Sequence, residues 1–205
     1  MIAAIVPAAG LSVRMGRPKL TLPVDGGTVI ASVVTALIDG GVETLVVVVP
    51  PGNVVGQSDL VRSVKAAGPG VHVIEPDEQP PDMRTSVEIG LGFLAEQGET
   101  PETVLLAPGD LVGATPRLVA DVIAAARVNP GRIVVPVVLG KRGHPVLLPW
   151  ARAQEIHSLP NDVGVNALLR RNPADVLECV VEEPGALVDL DTPEDYERWR
   201  SREKR

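Results

Sequence analysis

Hydrophobic and polar positions alternate along the chain in two patterns. Short runs of apolar, β-branched residues predict buried strands at 2–7, 44–49, 71–75, 103–107 and 132–137. Longer amphipathic stretches between them predict helices at 29–39, 57–67, 85–97 and 116–128. Strands that alternate with helices are joined by right-handed crossovers and form a mostly parallel sheet covered on both faces. The pattern therefore predicts a doubly wound, Rossmann-like α/β fold.

The pattern changes after about residue 138. Further strands are predicted at 143–148 and 176–181, on either side of two short helical segments. Thr192 and Asp195 supply the capping signal of a last helix that begins at Pro193. The 205 residues show neither an internal repeat nor a linker, and this length suits one domain. We predict a single domain with three parts, which are 1–137, 138–190 and a C-terminal helix at 191–205.

Composition narrows the classes of function. A net charge of −7 and an aromatic content of 2% disfavour nucleic acid as a partner, since that needs basic surface and stacking rings. The apolar runs are far shorter than the roughly 20 residues that span a bilayer, so we expect no membrane segment. A single cysteine, Cys179, cannot form an intramolecular disulfide. These features favour a cytoplasmic protein.

A loop of small residues with two cations follows the first predicted strand. Ala8, Ala9 and Gly10 let the backbone N–H groups approach phosphate oxygens, and Arg14 and Lys19 add positive charge. Ligands of open parallel sheets bind at the carboxyl ends of the strands, where this loop begins. The loop matches neither Gly-x-Gly-x-x-Gly nor Gly-x-x-x-x-Gly-Lys-Ser/Thr. We therefore expect phosphate binding outside the dinucleotide-binding and Walker classes.

Carboxylates follow later strands. Asp110 comes after the strand at 103–107, where a lone carboxylate suits Mg²⁺; its other interpretation is a turn or N-cap residue. Asp189 and Asp191 point to the same face of an extended segment, because side chains there repeat with period two. One of the two could complete the Mg²⁺ site while the other helps to cap the last helix. Their spacing leaves open which does which.

Several motifs together resemble a known family. The loop Ala8-Ala9-Gly10-x-Ser12-x-Arg14-Met15-Gly16-x-x-Lys19 is similar to the signature loop of the MobA-like NTP transferase superfamily. Within the superfamily, the chain most resembles the molybdenum cofactor cytidylyltransferase branch. Further matching motifs follow in order over nearly the whole chain, and they are Met83-x-x-Ser86-x-x-x-Gly90, Gly109-Asp110, Gly143-His144-Pro145-Val146, Asp162-x-Gly164 and Asp189-Leu190-Asp191-Thr192-Pro193-Glu194-Asp195.

The resemblance implies a nucleotidyltransferase with a defined set of site residues. Residues 1–137 would bind the nucleotide, through Ala8, Ala9, Gly10, Ser12, Arg14, Lys19 and Ser86. Residues 138–190 would bind the acceptor, through His144, Asp162 and Gly164. Mg²⁺ would be held by Asp110 and by Asp189 or Asp191. Catalysis would depend on Arg14, Lys19 and Asp110, since phosphoryl transfer needs positioning and charge stabilisation more than a protein nucleophile.

The resemblance also implies a reaction. CMP would move from CTP to the phosphate of molybdopterin or Mo-molybdopterin with release of pyrophosphate, with Mg²⁺ as cofactor and transient contact with a molybdoenzyme. Ala9 indicates CTP, because the guanylyl relatives carry an extra glycine that leaves room for a purine. Two alternatives remain open. One is transfer to another phosphorylated metabolite such as a sugar phosphate, and the other is a non-catalytic molybdenum cofactor accessory protein.

Three residues depart from the pattern of the branch. They are Asp82 in place of glycine, Val112 in place of proline and Asn166 in place of arginine. All three leave the phosphate loop and the carboxylates intact. Two of the three lie where the acceptor or the nucleoside should bind, so the departures bear on the identity of the substrates more than on the reaction.

Overall fold

A computed structural model describes residues 1–24, 27–68, 70–98, 100–160 and 162–203. The helices are α1 (Val29–Asp39), α2 (Gln57–Ala66), α3 (Met83–Glu96), α4 (Pro116–Val128), α5 (Trp150–Gln154), α6 (Asn166–Arg171) and α7 (Pro193–Glu203). The strands are β1 (Ile2–Pro7), β2 (Pro23–Val24), β3 (Gly27–Thr28), β4 (Thr44–Val48), β5 (Val71–Ile74), β6 (Thr103–Leu106), β7 (Ile133–Val138), β8 (Lys141–Arg142), β9 (Val146–Pro149) and β10 (Val176–Val180). Short 3₁₀ turns occupy Val13–Met15, Lys19–Thr21, Glu155–Ser158, Pro173–Asp175 and Pro184–Leu187. Residues 204–205 of the predicted C-terminal helix lie outside the described residues.

The central sheet has the strand order β10-β7-β9-β6-β1-β4-β5, with β8 paired to β7. Strand β1 runs parallel to both β4 and β6, whereas β9 is antiparallel to β6 and β7. The predicted single-domain, mostly parallel α/β fold is therefore confirmed. Among the described residues, no helix is long and apolar enough to cross a membrane.

Two apolar cores lie on the two faces of the sheet. Successive residues of β1 point to opposite faces, so Ala4 and Val6 belong to one core and Ala3 and Ile5 to the other. Helices α1, α2 and α4 cover the first core, and α3, α5 and α6 cover the second. Every residue of β1 and β4 that faces a core is shielded from water, which explains their continuous apolar sequences.

Helix boundaries follow capping residues. Thr115 caps α4 by accepting the N–H of Leu118 at 3.1 Å, as Thr115-Pro116 predicts. The predicted capping box also forms, since Thr192 accepts the N–H of Asp195 while the Asp195 carboxylate accepts the N–H of Thr192.

The bounds predicted for the strand at 143–148 are wrong, because the strand β9 begins only at Val146. The N–H groups of Gly143 and His144 donate instead to Pro136 and Ala186.

Asp82 explains why α3 starts two residues earlier than predicted. Its carboxylate accepts the N–H of Thr85 at 2.8 Å and the hydroxyl of Thr85 at 2.9 Å. The backbone hydrogen bond from Thr85 is the main cause that lowers the pKa of Asp82. Asp82, which stands where the family has glycine, thus serves as the N-cap of α3.

Gly90 lets α3 approach β1 closely. A Cβ at this position would lie 2.7 Å from Cγ2 of Ile5, whereas a Cβ at Gly92 on the same helix would meet no atom within 4 Å. We expect Gly90→Ala to be less stable than Gly92→Ala by about 1–3 kcal/mol, because only the first change overpacks the core. Urea denaturation of both variants measures this difference. Equal stabilities would contradict the close approach of α3 to β1.

Candidate active site

Three distant chain segments meet at the carboxyl end of the parallel strands. The Lys19 ammonium pairs with the carboxylate of Asp110 and lies 3.2 Å from Oδ1 of Asp191. Arg14 pairs through Nη1 with Oδ2 of Asp191 at 3.1 Å. Lys19 and Asp110 are only 17% and 16% exposed, so these charges are largely screened from water. The structure thus brings together the two predicted cations and two of the three predicted metal carboxylates.

The loop after β1 holds Lys19 in place through its own backbone. Ser12 adopts a left-handed conformation with φ of 52°, and its hydroxyl accepts the N–H of Lys19 at 3.2 Å. Gly16 is also left-handed, with φ of 68°, where glycine has no steric penalty. Ser12 therefore has a structural contact within the loop, beside its predicted role in nucleotide binding.

The N–H groups of the loop are not equally available to a ligand. Ala8 donates to the carbonyl of Val48 at 2.8 Å, which extends the β1–β4 ladder by one residue. The prediction that the Ala8 N–H faces phosphate is therefore wrong. Ala8 and Ala9 are buried and Gly10 is exposed, with open space where a Cβ would project. This leaves Gly10 as the part of the loop that a phosphate can approach most closely.

Asp189 lies in the electrostatic field of the same carboxylates. Burial raises the pKa of Asp189, and the charges of Asp110 and Asp191 raise it further, while Lys19 opposes them. Among the residues that the structure describes, no three acidic, histidine or cysteine side chains converge closely enough to form a metal cluster. The three carboxylates nonetheless fit a hard cation chemically, since they are oxygen donors that repel one another. The Mg²⁺ site stays a prediction.

A cleft of about 370 Å³ opens beside Lys19. Its lining includes Ala9, Gly10, Lys19 and Asp110 from the loop side and Gln79, Pro80, Asp82, Met83 and Ser86 from the entry into α3. Ser86 is buried on the second turn of α3. The cleft thus joins the predicted phosphate loop to the residue predicted to hold the nucleoside.

A smaller pocket of about 130 Å³ adjoins this cleft, and the two share Pro7, Met83 and Pro108. Its lining is mostly apolar and contains His144, Gly164 and Asn166. Of the predicted acceptor residues, the structure brings His144 and Gly164 together. Asp162 is exposed and does not line the pocket. Val112, another departure from the family pattern, is buried in the first core.

The surroundings of His144 disfavour the charged form of its side chain. Burial lowers the pKa of the imidazole, and the nearby charges of Asp189 and Asp110 oppose this only in part. Nδ1 of His144 is buried and has no hydrogen-bond partner among the described residues. An unpaired polar atom in an apolar pocket is free to bond to a ligand, and the role of His144 in acceptor binding stays a prediction.

Arg84 has a structural role beside the pockets that the sequence patterns did not indicate. The side chain is 7% exposed, and its guanidinium donates to the carbonyls of Leu159 at 2.9 Å, Val163 and Pro160. Nε also pairs with Glu88 at 2.8 Å, one turn along α3. The i,i+4 spacing of Arg84 and Glu88 was the only signal, and it is normally that of an exposed pair. Arg84 ties α3 to the segment that leads into the pocket wall at Gly164.

We expect Arg84→Met to lower the free energy of unfolding by about 3 kcal/mol or more, because it leaves Glu88 and three carbonyls without their donor. Urea denaturation measures the loss. Arg62→Met is the control, since Arg62 is 78% exposed and its pair with Asp59 contributes at most about 1 kcal/mol. Equal losses in the two variants would show that Arg84 does not hold the segment at 159–163.

Solved structures resemble this chain over nearly its whole length. Rv0371c from Mycobacterium tuberculosis H37Rv is 25% identical, with 98% of each chain covered and a TM-score of 0.78, and a second structure of Rv0371c is a complex with manganese. A nucleotidyl transferase from Methanothermobacter thermautotroptrophicus, Mth528, is 22% identical, with 98% of this chain and 97% of that chain covered and a TM-score of 0.79. A 4-diphosphocytidyl-2C-methyl-D-erythritol synthase is 17% identical, with 98% and 97% covered and a TM-score of 0.74.

Residues 4–176 match the family described as MobA-like NTP transferase domain. The match includes the loop with Arg14 and Lys19, the carboxylate Asp110 and the pocket around His144. It confirms the superfamily that the sequence motifs resemble. The chain belongs to the MobA-like NTP transferase domain family, and by this membership it is a nucleotidyltransferase.

Proposed function

We propose that this protein is a Mg²⁺-dependent cytidylyltransferase. It moves CMP from CTP to the phosphate of molybdopterin or Mo-molybdopterin and releases pyrophosphate. The observation that carries the proposal is the convergence of Lys19, Asp110 and Asp191 beside a cleft that reaches Ser86. A cation, two carboxylates and a small-residue loop are the parts that phosphoryl transfer requires.

The reaction needs no protein nucleophile. An oxygen of the acceptor phosphate attacks the α-phosphorus of CTP in line, the bond to the bridging oxygen breaks, and pyrophosphate leaves. The attacking phosphate is already ionised near pH 7, so no side chain has to remove a proton. A neutral His144 suits this chemistry, because it contacts the acceptor without adding charge. The protein therefore contributes position and charge.

Lys19 can serve the carboxylates and the triphosphate together. Its ammonium has three N–H donors, and Asp110 and Asp191 accept two of them. The third donor is then available to a phosphate oxygen of the leaving pyrophosphate. Arg14 is 73% exposed and pairs with Asp191 at the rim, where it can also turn toward phosphate.

Asp110, with Asp189 or Asp191, would hold the Mg²⁺. The bound ion would neutralise charge on the triphosphate, as a hard cation with carboxylate and phosphate ligands does. The manganese complex of Rv0371c supports the use of a divalent cation by this fold. Burial and, after it, the charges of Asp110 and Asp191 raise the pKa of Asp189, and a bound cation would offset both effects.

Ala9 supports CTP as the donor. Its buried methyl group lines the cleft where the guanylyl relatives have the additional space of a glycine. The synthase of a diphosphocytidyl compound among the structural neighbours shares the same fold.

A second candidate acceptor is a sugar phosphate or an alcohol phosphate. The pocket around His144 measures only about 130 Å³, and its lining contains Asn166 where the branch has arginine. A small acceptor with few charges beyond its phosphate would suit this lining. Residue Asn166 therefore makes a panel of acceptors necessary in the functional test.

Pyrophosphate release tests the proposed function. We expect release when the purified protein receives CTP, Mg²⁺ and molybdopterin, and less release with GTP, ATP or UTP. Mass spectrometry identifies the cytidylylated product, and parallel reactions contain sugar phosphates and alcohol phosphates. Release with only a sugar phosphate would select the second candidate. Binding of molybdopterin without any release would show a non-catalytic accessory protein instead.

Asp110→Asn removes a carboxylate charge at nearly constant volume. We expect the transfer rate to fall by at least about 100-fold, because both the metal ligand and the partner of Lys19 are weakened. Electron paramagnetic resonance of Mn²⁺ should show weaker binding, and circular dichroism should show an intact fold. Asp121→Asn on α4 is the control, since Asp121 pairs only with exposed Arg117 in the described part of the chain. A normal rate in Asp110→Asn would exclude Asp110 from the site.

A further inference from the structure

We infer that Gln79 selects the base of the nucleotide by accepting a hydrogen bond from an exocyclic amino group. The inference rests on the proposed function, because it takes the nucleoside to lie in the cleft beside Ser86. It adds a specificity residue that no sequence motif of the chain contains. Gln79 lies in the segment between β5 and α3, and its side chain lines the same cleft as Ala9 and Ser86.

The orientation of the Gln79 amide is determined by its neighbours. Nε2 donates to the carbonyl of Ala9 at 2.7 Å and lies 3.4 Å from the carbonyl of Pro80. The reversed assignment would set the amide oxygen of Gln79 2.7 Å from another acceptor with no proton between them. The nitrogen therefore faces the loop, and the oxygen is the free end of the amide.

The oxygen of Gln79 lacks a partner. Oε1 is buried, and no donor among the described residues reaches it. A buried acceptor without a donor is unfavourable. Since the side chain lines the cleft, a ligand seated there is the group that supplies the donor.

The base must lie toward this side of the cleft. The triphosphate suits the other end of the cleft, where the Lys19 ammonium and the exposed backbone of Gly10 lie beside Asp110, the proposed Mg²⁺ ligand. The nucleoside then extends along the wall that Gln79 and Ser86 form. Neither of these two side chains carries a charge, which suits a neutral base.

An acceptor at this position discriminates between pyrimidines. Cytosine carries an amino group at position 4 and donates to Oε1, whereas uracil carries a carbonyl there and would set two acceptors against each other. A site built to receive a hydrogen bond rejects an analogue that cannot make it much more strongly than an apolar site does. Gln79 thus favours CTP over UTP for a reason separate from the size of Ala9.

Equilibrium binding of CTP and UTP with Mg²⁺ tests the inference without any acceptor. We expect the wild-type protein to bind CTP on the order of tenfold more tightly than UTP or better. Gln79→Met keeps the length of the side chain and removes the oxygen, so the ratio of the two dissociation constants should fall toward one. Gln79→Asn shortens the side chain but keeps an amide, and should restore part of the ratio.

Gln57→Met is the matched control. Gln57 is a buried glutamine whose Nε2 donates to Glu75 at 2.8 Å, and it does not line the cleft. We expect this variant to keep the wild-type ratio. A comparable melting temperature for both methionine variants shows that each folds.

The outcomes separate this inference from the proposed function. An unchanged preference for CTP in Gln79→Met, or equal affinities of the wild type for CTP and UTP, would overturn the role of Gln79 and leave nucleotidyl transfer standing. Failure of the wild type to bind any nucleoside triphosphate would overturn the proposed function and the inference with it. A selective loss of CTP affinity in Gln79→Met, with UTP affinity retained, supports both.

Discussion

The ion pair of Lys19 with Asp110 and Asp191 is the interaction on which the site depends. Lys19 is 91 residues from Asp110 and 172 residues from Asp191 in the sequence, and both carboxylates meet its partly buried ammonium group. Charges removed from water need partners of opposite sign, so the loop after β1, the turn after β6 and the segment before α7 must all end at this edge. Without Lys19, the carboxylates of Asp110, Asp189 and Asp191 would repel one another. Burial raises the pKa of Asp189, and the charges of Asp110 and Asp191 raise it further.

Helix α3 connects this charged centre to the two ligand pockets. Ser86 faces the larger cleft and Val87 the smaller pocket, while Met83 lines both. Asp82 determines where the helix begins, and Gly90 determines how closely it lies on β1. Arg84 then holds the segment that leads into the opposite wall of the smaller pocket, through the carbonyls of Leu159, Pro160 and Val163. One helix thus sets the distance between the two pockets that are proposed to hold the nucleotide and the acceptor, and such positioning is the main task of a protein in phosphoryl transfer.

Elements with a strong local signal could be predicted from the sequence. Helices α1 and α4 have the predicted bounds, because their apolar periodicity coincides with capping by Thr28 and by Thr115 with Pro116. The family motifs identified the superfamily, since the loop with Arg14 and Lys19 is contiguous in sequence. The bounds of a strand and the availability of a loop N–H were less predictable where backbone groups form hydrogen bonds with distant segments. The strand near residue 143 starts late because Gly143 and His144 pair with other segments, and Ala8 donates to β4 rather than to a ligand.

The sequence by itself determined the alternation of strands and helices, the chemistry of the phosphate loop and the presence of carboxylates after the strands. These are local properties that follow from periodicity and residue type. Only the tertiary structure decided that Lys19 lies between Asp110 and Asp191, that Gln79 leaves an acceptor without a partner, and that Arg84 ties two pocket walls. Each of these depends on contacts between segments far apart in the chain. Such contacts arise from the packing of helices on the sheet, which no local pattern specifies.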